Sequence, residues 1–428
     1  MSILTTLVQS FSPLQNRNFR TYIAGQAVSL IGTWLQSTAQ SWVAWELTKS
    51  EAILGQVVAI GFVPQLVLGP FIGVLADRLD RRKILIATQI AQLVLAFILA
   101  ALVGFNLIQV WHLYVMSVLL GIAAAIDFPV QQAFLGDLAG MGEIRKAVVV
   151  NASIFQTSRI IGPALAGLIV GAFGAATAFV LNGLSFIAVI ISLILVRSQQ
   201  IRRASSSNPL AEFVEGLRFI KNQPRLIDLM LSMVMMTFFG LAVVITLFPP
   251  FASEVLKGDA SVLGLLTAAS GAGALVSALV VAPLAQTYKR TGIVLAFCCM
   301  WAGLWLMIAS RTAWLPLSML CIFMTGLTVP VVITTANGLL QVMAPPDMRG
   351  RLIAVSLTVS FGIQPLASVF VGTMAEHFGV PTAMLTNGAL LIISALLLLI
   401  VRPGWRNWEV TRPASVPPQS APQQQPAH

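Results

Sequence analysis

"GVLADRLDRRKIL", Gly73 to Leu85, lies between two long apolar runs and packs six charged residues, Asp77, Arg78, Asp80, Arg81, Arg82 and Lys83, into seven positions. In an ordinary soluble domain, about 25% charged, such a cluster is a solvated turn. This chain of 428 residues is only 9% charged and 57% hydrophobic, with a mean hydropathy of +0.89. Runs such as Leu181 to Val196, Val262 to Ala285 and Ala389 to Val401 approach the ~20 residues a helix needs to cross a bilayer. The composition is that of an all-α membrane protein, and the charged stretch is a loop between two spans.

Apolar runs bounded by charges, Gly and Pro place six helices near 20–47, 52–76, 83–104, 109–138, 146–173 and 176–196. Six more fall near 225–253, 260–286, 291–309, 313–343, 350–377 and 380–401. The expected organisation is a six-helix bundle over 1–196, a linker over 197–224, a second six-helix bundle over 225–401 and a disordered tail over 402–428. Within the linker Phe213, Leu217 and Ile220 share one helical face, with Glu212, Glu215, Arg218 and Lys221 elsewhere, which predicts a short amphipathic helix at the membrane surface. The tail is too rich in Pro and Gln to pack.

Basic loops stay on the cytoplasmic side. With both termini cytoplasmic, 21 of the 25 Lys and Arg residues fall on that side, Lys49, Lys257 and Arg311 on the other, and Arg159 inside a span. The net charge of +10 therefore reads as topology and contact with anionic membrane lipids, and gives no support to nucleic-acid binding. Cys298, Cys299 and Cys321 all sit in apolar runs, His112, His377 and His428 are scattered, and phosphate loops and nucleophile motifs are missing. No disulfide framework, metal, cofactor or enzyme activity is expected. The first eighteen residues do not read as a removable signal peptide.

The halves repeat one another. "FGAATAFVLNG" at Phe173 and "FGVPTAMLTNG" at Phe378 share six of eleven residues at an offset of 205. The same offset relates Gly121 to Gly326, and one of 209 relates "LADRLDR" at Leu75 to "LAQTYKR" at Leu284. Duplicated bundles are common in transporters of this size.

The opening loop resembles the signature of the major facilitator superfamily. Gly73, Asp77, Arg78, Arg81 and Arg82 occupy motif positions, with Asp80 where a second Gly usually stands. "NFRTYIAGQAVSLIGTWLQSTAQSWVAWELTKS", "GIAAAIDFPVQQAFLGDL" and "NASIFQTSRIIGPALAG" look like the branch that contains enterobactin exporters and macrolide-efflux proteins. The resemblance extends to about Arg402. It implies twelve helices in two bundles related by a pseudo-two-fold axis, in the bacterial inner membrane. It also implies export of a small molecule coupled to inward proton flow, with a monomer supplying the whole path. Gly162, Pro163, Gly167 and Gly171 look like the antiporter motif of the fifth span, although a packing groove would read the same.

The residues supply their own expectations. Asp77, Arg78, Arg81 and Arg82, with Gly73 for close approach, form either a latch on the cytoplasmic face or a topology anchor. Asp127 and Arg159, counted from the turn near Met141, fall at depths about 6 Å apart at ~1.5 Å per residue. A charge buried alone is costly, so the two are expected to meet, as a fixed ion pair or as a proton-coupling pair. Helical spacing adds a polar lining: Gln36 with Gln40, Asp127 with Gln131, Gln156 with Arg159 and Thr334 with Asn337. Because the first, fourth, seventh and tenth spans line the path in related transporters, Gln36, Gln40, Asp127, Gln131, Thr334 and Asn337 are candidates for the cavity. Gln156 and Gln364 are weaker ones, and interhelical hydrogen bonding is the competing role for all of them. Trp42, Trp45, Trp111 and Trp314 read as interface anchors. An exporter of amphipathic molecules such as drugs or siderophores leads; an importer or lipid mover of the same fold, or a non-transporting sensor, are the alternatives.

Overall fold

The computed structural model describes residues 12–140, 143–196, 209–288, 290–345 and 348–406, with the backbone alone at 70–78 and a few single positions. Among these residues the first half is built of α1 (Arg17–Thr48), α2 (Glu51–Arg78), α3 (Arg81–Gly104), α4 (Val110–Ala139), α5 (Ile144–Phe173) and α6 (Ala175–Leu195). Helix α7 (Pro209–Lys221) lies in the linker. The second half comprises α8 (Pro224–Val255), α9 (260–287), α10 (Thr291–Ala309), α11 (315–343), α12 (Arg349–Phe378) and α13 (Val380–Val401). Eleven of these twelve rods carry a stretch apolar enough to cross a membrane. The other, α1, is 32 residues long but diluted by Gln26, Ser29 and Gln36, which it buries against its neighbours.

Short capped turns force consecutive rods to run antiparallel. The Asn16 side chain accepts from the amides of Asn18 and Phe19 at 2.9 and 3.4 Å to start α1. Asp80 accepts from Arg82 and Lys83 to start α3, and each supplies a donor's missing partner at a helix start. The duplication is visible in the backbone. Gly174 and Gly379, 205 positions apart, both take φ +81° where one span hands over to the next, a conformation that strains any other residue.

The halves meet along α2 with α12 and α5 with α9. Both contacts depend on backbone touching backbone. A Cβ on Gly55 would lie 3.2 Å from the Cα of Gly372, and one on Gly264 would lie 2.8 Å from the Cα of Gly167. These are the same pair viewed twice, since Gly167 lies 205 positions before Gly372 and Gly55 lies 209 before Gly264. Beside the first contact, Ser50 Oγ and the Ala52 amide donate to Glu376 Oε2 at 2.8 and 3.2 Å, which ties α2 to α12.

The apolar cores show the state of the bundle. At the end bearing the 49–50 and 379 connections, one core draws on both halves and joins Trp42, Trp45 and Leu54 to Phe248, Phe251 and Met384. At the end bearing Arg20, Arg81 and Arg402, the cores are separate: Phe19, Tyr22, Phe134 and Phe186 in the first half, Met233, Leu340, Leu352 and Trp405 in the second. Among the described residues, the two halves share a core at the far end and keep separate cores at the basic end.

The tail expectation needs correction at its start. Pro403–Arg406 forms a helical turn, α14, and Trp405 is fully buried; its backbone carbonyl closes on Gly292 of α10. One large aromatic ring outweighs the polar composition around it. Residues 407–428 lie outside the described part.

Candidate transport path

Two ionisable side chains stand deep in the first half, and they do not meet. Asp127 of α4 points toward α3, where Thr88 Oγ1 and Gln89 Nε2 donate to its Oδ1 at 2.6 and 3.0 Å. One turn further along α4, Gln131 stands close to Tyr22 of α1, and the Tyr22 ring stands edge-on to Phe134 at 5.2 Å. Arg159 of α5 points instead toward α1, its guanidinium 5.7 Å from the centre of the Trp34 ring. Trp34 is braced by Phe155 at 5.6 Å. The expected Asp127–Arg159 pair is therefore corrected: similar depth did not bring similar azimuth, and each charge found a neutral neighbour. Cation–π contact accounts for the Arg, and charge-assisted hydrogen bonds for the Asp.

The backbone of Arg159 sits at the seam between the halves, because a Cβ on Gly271 of α9 would lie 2.8 Å from its carbonyl oxygen. Gln156, one turn earlier, donates to the Ala274 carbonyl of α9 at 3.4 Å. Next to Asp127, Phe128 meets Phe361 of α12 edge-on at 6.5 Å, and Phe361 stacks on Phe62 of α2 at 6.4 Å. This trio bridges the halves.

The polar candidates divide. Gln36 accepts a 2.7 Å hydrogen bond from Asn182 of α6 and is buried, so it fastens two helices and does not line a path. Gln131 and Gln364 are buried as well; Gln364 spends its amide nitrogen on Ser368 at 3.2 Å. Gln40 is half-buried and bonds Ser117 of α4 at 3.1 Å. Asn337 is half-buried and accepts from Ser356 of α12 at 2.7 Å. Thr334 is exposed, on the open side of a helix packed elsewhere by α8, α9, α10 and α12. The sequence reading missed Thr88, Gln89 and Tyr22. For Thr88 and Gln89 the signal was available as "TQIAQ", a polar interruption in the otherwise apolar α3.

The loop motif also works within one half. Arg81 Nη1 donates to both carboxylate oxygens of Asp137 at 2.8 and 2.9 Å, joining α3 to α4. Arg82 donates to the last carbonyls of α6, Leu193 and Ile194, where a cation complements the helix dipole. Both of these contacts lie within the first half. Gly73, Asp77 and Arg78 lie where side chains are outside the described residues.

Comparison with known proteins agrees with this geometry. A family model described as transmembrane secretion effector matches residues 8–423. Macrolide efflux protein A of Streptococcus pyogenes is 25% identical, over 89% of this chain and 94% of its own. The staphyloferrin A transporter of Staphylococcus aureus (strain NCTC 8325 / PS 47) is 24% identical, over 84% and 90%. Among solved structures, a bacterial homologue of the human lysosomal transporter Spinster, in an inward-facing and occupied conformation, superposes with a TM-score of 0.72 at 16% identity, covering 90% of this chain and 97% of that one.

Proposed function

The chain belongs to the transmembrane secretion effector family of major facilitator transporters, and on that premise we propose that this multi-pass membrane protein is a proton-coupled exporter of small amphipathic molecules. Transport, and no enzymatic step, is the family's activity. Its relatives named for macrolide efflux and staphyloferrin A transport support drugs and siderophores as the cargo class. The basic end faces the cytoplasm, with both termini there, so the divided state is inward-facing and the shared core is the outer seal. A monomer contains the whole path.

The observation that carries the reading is the setting of Asp127. It is an acid deep in the bundle, held by donors that are themselves neutral. A hydroxyl and a carboxamide can each donate or accept, so the site holds either protonation state without rebuilding. An Arg partner would have locked the acid ionised. Asp127 is the proton carrier, and Arg159, clamped between Trp34 and the α9 seam, is the fixed positive charge that cargo meets and that closure moves. Gln40, Thr334 and Asn337 remain the polar groups for cargo, while Gln36, Gln131, Gln156 and Gln364 position helices. Asp77 and Arg78 close the inner face.

The test is flux in proteoliposomes, with radiolabelled erythromycin and staphyloferrin A as probes. The wild type is expected to move at least one of them against a gradient when a pH difference is imposed. Asp127→Asn keeps exchange at equal concentrations and loses the driven mode. If Asp127→Asn retains pH-driven accumulation, the proton role is wrong; accumulation inside right-side-out vesicles would make the protein an importer.

A further inference from the structure

The exposure of α5 changes along one face. Val148, Ala152 and Phe155 are exposed, and their spacing puts them on one stripe with Arg159. The next members of that stripe, Pro163 and Ala166, are buried. Arg159 therefore stands where an opening that begins at the basic end comes to a close.

This face looks between the halves. On one flank Gly162 is pressed against Trp34 and Ile31 of α1; on the other, Gly167 touches Gly264 of α9 and Gln156 donates to the Ala274 carbonyl. The Arg159 stripe lies between those flanks. A second exposed stripe, the wholly apolar Ile161, Leu165 and Leu168, lies about 140° further round at ~3.6 residues per turn, and it is the one that faces lipid.

At the closed end the guanidinium is a cation without an anion. Arg159 is half-buried and stands over the Trp34 ring. Among the described residues it enters no ion pair and donates no hydrogen bond, and none of its nitrogens is sealed from solvent. Asp127 is turned away to Thr88 and Gln89. A charge left alone at this depth is costly. Five N–H groups in a planar fork match the paired oxygens of a carboxylate. Because Arg159 is the one basic residue placed inside a span, it balances a single negative charge, which favours a carboxylate over a dianionic phosphate. Phe155, one turn nearer the mouth, is 37% exposed and meets Trp34 edge-on at 5.6 Å. Its ring offers a face for an aromatic body beside the charge.

We propose that the cargo is an amphipathic monoanion, a carboxylate on an aromatic body, received from the basic end with its carboxylate on Arg159 and its ring against Phe155. This rests on the transport reading above and narrows its cargo class.

The experiment uses the full chain in detergent and three probes that share one ring system: naphthaleneacetate, the neutral naphthaleneacetamide and the cationic naphthylethylamine. Titration calorimetry on the wild type is expected to show the carboxylate binding about tenfold tighter than the amide, the worth of one charge-assisted hydrogen bond, with the amine weakest. Arg159→Gln removes the preference. Arg159→Lys keeps a reduced one, since it retains the charge and loses the fork, and Phe155→Ala weakens all three probes alike. The wild-type series is decisive even where a variant folds poorly. Equal binding of the three probes, tighter binding of the amine, or a carboxylate preference that survives Arg159→Gln overturns the proposal. Flux in proteoliposomes separates the two readings. Driven movement of erythromycin without movement of naphthaleneacetate overturns the cargo class and leaves transport standing. Naphthaleneacetate that binds as expected while no probe moves overturns transport and leaves the anion site standing.

Discussion

The two halves descend from one pattern and have diverged in opposite directions. The first keeps unbroken helices and interior charge. The second has no charge at the matching places, since the positions 205 beyond Asp127 and Arg159 are Val332 and Gln364, and its helices are irregular instead. In α8 the Ala242 amide reaches back five residues to Thr237, and the Leu256 amide to Phe251. In α9 the Ala282 amide reaches Ser277, and α11 breaks at 327–328, just before Pro330. Pro249, Pro250 and Pro283 accompany the widened turns of α8 and α9; a proline lacks the N–H and crowds the carbonyl four residues back, and a five-residue turn relieves that crowding. Pro129 and Pro163 sit inside α4 and α5 without such a turn. One half thus holds the buried charges on unbroken helices, and the other carries the widened turns.

The sharpest attack on this division is Asp127→Asn. The expected loss of pH-driven flux is about tenfold or more, equivalent to at least ~1.4 kcal/mol, with exchange preserved. If a substitution at Gln364 in the second half has the same effect, the division fails. Next in size is stability at the basic end. The Arg81–Asp137 pair is nearly buried, and removing one member of such a pair costs about 3–5 kcal/mol; Arg81→Gln is expected to lower the thermal midpoint sharply. The pair that ties linker helix α7 to α12, Glu215 with Arg351 at 2.7 Å, is partly exposed, and Glu215→Gln is expected to cost under about 1 kcal/mol.

A smaller effect tests the deformable helices. Pro283→Ala lets α9 close into a regular helix, and a slowing of transport by about fivefold, ~1 kcal/mol in the barrier, is expected. Pro163→Ala in α5 leaves the rate unchanged, as single-turnover flux would show. A comparable effect is expected at a cap. Hydrogen bonds from the Ser261 side chain and backbone hold the Asp259 carboxyl below its ordinary value of 3.8. Because the folded value is the lower one, the stabilisation is complete above that ordinary value and is lost as pH falls below it. Asp259→Ala is expected to cost about 1 kcal/mol at neutral pH and nothing in strong acid, measured by thermal melts across pH.

The spans were legible because a bilayer leaves few solutions. Every apolar run bounded by Arg, Gly or Pro became a rod, and the "FG" repeat at Phe173 and Phe378 marked equivalent turns. Spacing along a rod was legible too, because each residue advances a helix by a fixed rise. Azimuth was not. Gln36 and Gln40 share a face by spacing, yet the first bonds α6 and the second α4. Asp127 and Arg159 were matched in height while their helices turned them to different neighbours. Which side of a rod faces the path depends on the packing of all twelve, and glycines such as Gly162, pressed against Trp34 and Ile31, set that rotation without any local sign. The buried Trp405 was hidden differently: one ring decided the outcome at the start of a segment whose composition is Pro-rich and polar.

The unequal cores have a thermodynamic consequence. In the proposed export cycle, side chains such as Phe251 and Met384, hidden while the far mouth is shut, become wet when it opens, and Tyr22-side and Leu340-side surfaces come together in exchange. Oil shown to water at one mouth is withdrawn at the other, so the see-saw rests near balance. A ligand tips such a balance only by its preference for one arm. One proton bound with an affinity differing by a single pK unit supplies ~1.4 kcal/mol, enough to change the population ratio tenfold.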